Sequence, residues 1–459
     1  MNEGEIVRRW TGEGQAQLFE HWRERPEPLR RRLLEDLAGL EPALVRSLAA
    51  ELRGGPQAGP VEAEPLDPVP LAGWRGRREA RSLGEELIGR AAAAFLTVAG
   101  GQGTRLGWEG PKGCFPISPI RGASLFQILA EKLLAARRRY GAPTPWYIMT
   151  SPLNHGQTSA FFGEHDFFGL PPEEVVFFVQ DMLPTLSPEG KLLLAEDGGL
   201  AMHPAGHGGA LDALRAHGLL GEMSRRGIEE LFYFQVDNPL VRVPDPEFVG
   251  FHRLAGSEMS SKVVPKAYPE EKLGVPGLSE GRPRIIEYSE LDFQARHELR
   301  PDGRLRFAYG SIAVHVLNVR FLAGASLRLP LHQARKKVPI LVPGPGGGTR
   351  EEREAIKLEK FIFDAIPLAA NAQFLETERE EEFAPLKNSS GRDSIATCRD
   401  ALLRQQARWL ERCGVRVPMR EGRPAVRIEI SPLYSDSPEE LKNRLAGTVN
   451  KIDEDTLLA

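Results

Sequence analysis

Apolar positions along this chain follow two rhythms. Over residues 5–53 they recur at helical spacing, as in Leu18, Phe19 and Trp22, then Leu33, Leu34, Leu37 and Leu40. Residues three and four apart share one helix face, so this stretch reads as helices, with Pro26 and Pro28 dividing the first from the second. The run Arg30, Arg31 and Arg32 fits a solvated side of such a helix. Residues 54–78 are rich in Gly and Pro and read as an extended linker. From about residue 85 the rhythm changes. Short apolar runs at 93–99, 146–150, 175–180 and 231–236 alternate with longer helix-like stretches such as 124–139. Runs apolar on both faces predict strands of a mostly parallel sheet covered by helices on both sides. Residues 260–266, 284–290 and 310–318 read as further strands, in the same sheet or in an antiparallel annex. Helices are predicted over 351–370 and 399–413, and a strand around 426–430. The acidic run 378–382 reads as solvated surface.

Composition narrows the class. At roughly 150 residues per domain, 459 residues make two or three domains. With 41% hydrophobic residues the chain can bury a large core without staples. Lys and Arg number 59 against 63 Asp and Glu, a formal charge of −4, which argues against a dedicated nucleic-acid binder. Cys114, Cys398 and Cys413 have neither disulfide-framework nor zinc spacing and predict a reducing compartment. The acidic start, Met1 to Glu5, is no secretory signal. The most apolar stretch, residues 91–101, is about half the roughly twenty residues of a membrane helix. A cytoplasmic protein with no membrane partner is expected.

Candidate chemistry concentrates at the ends of the apolar runs. The run 93–99 leads into Gly100, Gly101, Gln102, Gly103, Thr104, Arg105, Leu106 and Gly107. Such a glycine loop is either a tight turn or a cradle of backbone N–H groups for a polyanion. Its spacing is GxGxxxG, not the dinucleotide GxGxxG, which speaks against a nicotinamide-dependent oxidoreductase. Lys112 follows Pro111, so the ATP-type P-loop also fails. Arg105 and Lys112 are phosphate ligands or plain surface cations. Asp237 ends the run 231–236, where it either holds a metal or caps the Asp-Asn-Pro turn. Gln180 ends another run and is a base-reading or turn-capping amide. Glu287 follows a strand and suits sugar hydroxyls or solvent. His203 and His207 lie four apart, but Pro204 and three glycines preclude the helix a zinc pair needs. His315, in an apolar strand, reads as a core residue, as do Trp74, Trp146 and Trp409. Lys336 and Lys337 divide evenly between ligand and solvent.

The string GGxGTRLG followed by Pro111 and Lys112 resembles the signature of sugar-nucleotide pyrophosphorylases. The wider chain, to about Pro432, is similar to the eukaryotic-type UDP-N-acetylglucosamine and UDP-glucose pyrophosphorylases. The matching segments are 98–116, 177–184, 203–210, 235–246, 262–274, 286–291, 332–339, 356–364 and 383–388. The resemblance implies an α/β fold, a Rossmann-like mixed, mostly parallel sheet of the nucleotide-diphospho-sugar transferase type with helices on both faces. It implies three parts: helical N-terminal domain and linker 1–75, central catalytic domain 76–386 and small α+β C-terminal domain 387–459. It also implies a Mg²⁺-dependent uridylyltransferase that takes UTP and a sugar 1-phosphate to a UDP-sugar and pyrophosphate. Carried over residue by residue, Arg105, Lys112, Asp237 and Lys387 are catalytic, with Asp237 the metal ligand. Val98, Ala99, Gly100, Gly101, Gln180 and Gly206 hold the nucleotide. His207, Glu287, Tyr288 and Ser311 hold the sugar. The overall match favours N-acetylglucosamine 1-phosphate. The family's N-acetylglucosamine enzymes have Asn where His207 and Ser311 stand. His207 sits in a Gly-His-Gly pattern of the glucose enzymes, so glucose 1-phosphate is the alternative. A non-catalytic UDP-sugar-binding homologue is the third reading. Oligomeric state stays open, a monomer being compatible with the sequence.

Overall fold

The computed structural model of the chain describes residues 2–53, 61–324, 327–445, 447 and 449–459. The chain forms two compact units. One is built from residues 1–59, 180–212 and 328–364, the other from 60–179, 213–327 and 365–459. These cuts differ from the boundaries at 75 and 386 read from the sequence, because two internal segments group with the N-terminal helices.

The larger unit is built on a seven-stranded sheet. Its strands in chain order are β1 (Ala93–Val98), β2 (Trp146–Thr150), β3 (Val175–Val179), β4 (Glu230–Gln235), β5 (Met259–Pro265), β6 (Tyr309–Asn318) and β7 (Ala372–Glu376). Their spatial order is β7-β5-β6-β4-β1-β2-β3. Every neighbouring pair is parallel except at β6, which runs antiparallel to both β4 and β5. The central strands β1, β2 and β4 are largely apolar because both faces are buried, whereas β5 carries Ser260, Ser261 and Lys262. On one face Phe95, Trp146, Phe232 and Phe234 share a core with helices Arg77–Gly89, Leu125–Tyr140 and Pro246–Leu254. On the other, Leu96, Tyr147 and Tyr233 are buried, and Glu222 of helix Leu219–Arg225 accepts a bond from the Tyr147 hydroxyl. Helices Arg77–Gly89 and Pro246–Leu254 touch backbone to backbone. A Cβ on Gly84 would lie 1.8 Å from the Pro246 carbonyl oxygen, and one on Gly250 1.7 Å from that of Ala80.

Of the mixed segments, 260–266 and 310–318 belong to the main sheet. The third is the annex: Arg282–Ile286 joins Val275–Ser279 and Glu64–Pro65 in a small antiparallel sheet. Residues 54–60 of the expected linker lie outside the described residues. Beyond them Val69 runs along the edge of β7, donating its N–H to the Phe374 carbonyl at 2.8 Å and accepting from the Glu376 N–H at 2.9 Å. Helix Ile395–Arg412, strand Ile428–Ile430 and helix Pro438–Leu445 build their own apolar cluster around Leu410, Ile428 and Leu441.

The smaller unit has helices Glu3–Gly12, Glu27–Gly39 and Pro42–Arg53. Leu18, Phe19 and Trp22 fall in short 3₁₀ turns between the first two, and Pro28 sits in the first turn of the second, where a missing N–H costs nothing. Trp10, Leu33, Leu37 and Leu48 pack with Leu186, Leu194, Leu341 and Leu358. The helix expected over 351–370 is absent. Thr349–Glu359 is a strand paired antiparallel with His332–Val342, and 362–368 is a 3₁₀ helix. Glu, Arg, Ala and Lys favour a helix in isolation, but here cross-strand pairing wins. Lys337 stands opposite Glu354, and Arg335 donates to the Glu354 carboxylate at 3.1 Å.

Candidate active site

The glycine loop follows β1 directly. The Ala99 N–H continues the ladder to the Met149 carbonyl at 2.8 Å, and the Asn154 amide donates to the Ala99 carbonyl at 2.9 Å. The loop closes on itself. Gly103 donates to the Gly110 carbonyl at 2.9 Å and Lys112 to the Gly101 carbonyl at 3.1 Å. A Cβ at Gly103 would lie 2.6 Å from the Trp108 ring, so that position needs glycine. Ala99 and Gly100 are buried, whereas Gly101 and the Arg105 side chain are exposed.

Strands β1 and β4 are adjacent and parallel, so the loop and Asp237 emerge at the same edge of the sheet. The Val236 N–H still donates to the Val98 carbonyl there, at 3.2 Å. This is the edge where open α/β sheets bind ligands. Two ammonium groups converge on one Asp237 oxygen: Lys112 Nζ is 3.3 Å from Oδ2 and Lys387 Nζ is 3.1 Å from it. Lys112 also donates to the Leu386 carbonyl at 3.4 Å. Lys112 and Asp237 are buried, and the Lys387 side chain is 40% exposed. Burial by itself would raise the Asp237 pKa, but Lys387 and Lys112 together hold it down at about 2. The carboxylate is therefore ionised throughout the neutral range. Three of the four expected catalytic residues thus meet. Arg105 comes from the neighbouring loop, and its carbonyl accepts from the Ser389 N–H at 3.1 Å, two residues past Lys387.

Lys387 reaches Asp237 because residues 382–388 are tied to the turn after β4. The Leu386 N–H donates to the Asp237 carbonyl at 2.8 Å. The Asn238 amide donates to the Glu382 carbonyl at 2.7 Å and accepts from the Ala384 N–H at 3.1 Å. Beneath this, the acidic run is the solvated surface its composition suggests only at Glu378 and Glu380, which are exposed. Glu382 is 5% exposed and bonds to the buried Lys262 ammonium and the Thr377 hydroxyl. Lys262 also donates to Asp245 at 2.6 Å. Glu381 accepts from Arg408 and Trp409. Glu382 and Asp245 can be buried, and Glu381 partly so, because each meets a cation or a donor.

The expected sugar-side residues of this unit lie together around Gly274. Glu287 directly follows strand Arg282–Ile286, Tyr288 is half-buried in the turn beyond it, and a Cβ on Gly274 would lie 3.3 Å from Glu287 Oε1. The Ser311 N–H donates to the Gly274 carbonyl at 2.8 Å. Ser311 opens an irregularity in β6, where Ala313 takes φ 55° and its N–H donates to the Ser311 hydroxyl. Gln180, Gly206 and His207 belong to the smaller unit. Gln180 is buried, and Gly206 takes φ 84°, where a Cβ would strike the Lys360 carbonyl at 2.5 Å. His207 stacks on Phe361 at 5.3 Å, and its Nδ1 accepts the Ile362 N–H at 3.2 Å. His203 is buried against Thr185 and Leu358. His315 is a core residue bonded to Ser261, and Trp146 is fully buried.

A family model described as UTP--glucose-1-phosphate uridylyltransferase matches residues 79–458. The chain belongs to this family of nucleotidyltransferases. It is 39% identical to the human UDP-N-acetylhexosamine pyrophosphorylase-like protein 1, over 97% of this chain and 95% of that one. It is 35% identical to the UDP-N-acetylglucosamine pyrophosphorylase of Saccharomyces cerevisiae, over 93% and 94%. Among solved structures, the UDP-N-acetylglucosamine pyrophosphorylase of Trypanosoma brucei, in complex with an inhibitor, superposes with a TM-score of 0.81. It is 26% identical, over 100% of this chain and 98% of that one. A similar fold, with a TM-score of 0.78 and 31% identity over 87% and 100%, is the putative enzyme from Entamoeba histolytica. For this family member, sequence reasoning missed Asn154, Asn238, Lys262 and Glu382. Their roles depend on contacts far along the chain. Asn238 alone carried a signal, its place beside Asp237. No helix among the described residues is long and apolar enough to cross a membrane.

Proposed function

We propose that the protein joins UTP to N-acetylglucosamine 1-phosphate, giving the UDP-sugar and releasing pyrophosphate. The observation that carries this reading is the Lys112–Asp237–Lys387 cluster beside the glycine loop, in a chain 35% identical to proteins named for that sugar. A phosphate oxygen of the sugar 1-phosphate forms a bond to the α-phosphorus of UTP. The bond from that phosphorus to the bridging oxygen breaks, and its electron pair leaves with pyrophosphate. The nucleophile is already anionic, so the protein's tasks are in-line positioning and charge neutralisation. The loop backbone of 98–101 receives the nucleotide, and Arg105 and Lys112 its phosphates. Lys387 receives the sugar phosphate. Glu287, Tyr288 and Ser311 orient the sugar. Gln180 and Gly206 as nucleotide residues and His207 as a sugar residue are proposals that rest on the family's motifs. The His207 Nδ1 accepts the Ile362 N–H, and the human and Saccharomyces cerevisiae relatives are named for N-acetylated sugars, not for glucose.

Enzymes of this family generally use a divalent metal. Among the described residues no cluster of three or more His, Cys, Asp or Glu side chains could enclose one. A single buried, ionised carboxylate with both lysines on one oxygen fits Mg²⁺, which keeps waters and takes its remaining ligands from substrate phosphates. Asp237 would hold it, and the ion would neutralise charge developing on the phosphoryl oxygens. The proposal includes a cytoplasmic protein that engages neither nucleic acid nor membrane, with its oligomeric state open and a monomer compatible with it. It also keeps the parts 1–75, 76–386 and 387–459, the last supported by the separate apolar cluster around Leu410 and Leu441.

The test is pyrophosphate release from UTP and Mg²⁺, with N-acetylglucosamine 1-phosphate and glucose 1-phosphate in parallel. Release with the first, reduced by about 10²-fold or more in Asp237→Ala, is the expected result. Release with glucose 1-phosphate only would overturn the sugar assignment. Binding of the UDP-sugar without turnover would overturn the enzyme.

A further inference from the structure

The buried amide of Asn238 is spent on no side chain. Both of its ends are bonded to the backbone of one short segment: Nδ2 donates to the Glu382 carbonyl at 2.7 Å and Oδ1 accepts the Ala384 N–H at 3.1 Å. A side-chain amide that pairs with a peptide in this way imitates one rung of a β-ladder. One residue earlier, the Asp237 carbonyl accepts the Leu386 N–H at 2.8 Å. The turn after β4 and the segment bearing Lys387 are thereby zipped over three successive contacts, and the side chain of Asp237 is met by Lys387 at their end. The segment has a second anchor below, where buried Glu382 is fixed by Lys262 and Thr377. That anchor holds the start of the segment. Its middle is held by Asn238 and Asp237, by Lys112 and Cys398 on the Leu386 and Ala384 carbonyls, and by packing of the buried Ala384 and Leu386 side chains.

We propose that Asn238 is a positioning residue: its amide sets where the 382–388 segment lies and so places the Lys387 ammonium against Asp237 and the reacting phosphates. This rests on the function proposed above. Asn238 itself is 4% exposed, and both ends of its amide are bonded to the 382–384 backbone, so it acts through Lys387 and not by contact with substrate.

The experiment compares Asn238→Ala, Lys387→Ala and the double variant. Displacing a charged group by about 1 Å can cost about 10²-fold in rate. Asn238→Ala is expected to lower kcat by about that factor while KM for UTP changes less than about threefold. In the double variant, activity should fall no further than in Lys387→Ala, because the amide has nothing left to position. A kcat near wild type, or losses that multiply in the double variant, would overturn the proposal. Amide exchange gives a readout independent of turnover. The Leu386 N–H should exchange at least about tenfold faster in Asn238→Ala, while those of Ala99 and Val236 keep their wild-type rates. Unchanged Leu386 exchange also overturns the proposal. If the wild-type protein releases no pyrophosphate from any sugar 1-phosphate, the function reading fails, and Leu386 exchange still decides the tether. Should Asn238→Ala not fold, the isosteric Asn238→Asp keeps the acceptor for Ala384, loses the donor to Glu382, and is read in the same way.

Discussion

Asp237 stands between two opposing influences, and their balance is measurable. Its burial disfavours the charge; the two ammonium groups favour it more strongly, and its pKa falls to about 2. A depressed carboxylate stabilises the folded state above its unfolded pKa and ceases to do so as pH falls through the folded value. The stabilisation from Asp237 is thus complete above about pH 4 and is lost between there and about pH 2. Replacing Lys387 by Met leaves Lys112 alone against burial. The Asp237 pKa should then rise, which NMR titration of the carboxyl carbon would show, and the acid limb of the kcat profile should move to higher pH with it. Asp237 and the glycine loop were legible in the sequence because each follows an apolar run whose end it marks, and Lys112 was legible from the string GGxGTRLG followed by Pro111 that carries the resemblance. Lys387 was legible by resemblance alone. The partners of Asn238 and Lys262 were not, since an amide that reads a backbone about 145 residues away and a lysine buried in a strand leave no local pattern of what they touch; Asn238 offered only its place beside Asp237.

Elements show where sequence pattern and structure part. The strands at 93–98, 146–150 and 230–235 were readable because burial on both faces makes them largely apolar. Residues 349–359 were not, because their charges suit a helix and become a strand only beside the cations of 332–342. The individual ion pairs on that ribbon are exposed, so Arg335→Ala should cost less than about 1 kcal/mol in chemical denaturation. The buried pair behaves otherwise. Lys262→Met leaves buried Glu382 without its cation and Asp245 with Arg242 alone, and should cost about 3–5 kcal/mol, seen as a lower denaturation midpoint. The Gly84 contact is equally local and equally hidden. Gly84→Ala must push apart two helix backbones that touch, and a loss of about 1–3 kcal/mol is expected by the same measurement.

At the scale of the whole molecule, fold class and family followed from the order of the motifs, while the division into compact units did not. Packing brought 180–212 and 328–364 to the N-terminal helices, a grouping invisible to a reader moving along the chain. Binding offers a test at this scale. UTP with Mg²⁺ at a hundred times its Kd should stabilise the protein by about 2.7 kcal/mol, recorded as a raised Tm, and NAD should leave Tm unchanged.

The strip of chain at Val69 has a consequence for self-association. A strand at the border of a sheet presents unpaired N–H and C=O groups that a second molecule can adopt as a template. β7 occupies that position, and Val69 already satisfies the Phe374 carbonyl and the Glu376 N–H. The segment thereby acts as a built-in blocking peptide. A protease that removed it would leave the catalytic cluster untouched, yet would turn a closed border into an adhesive one.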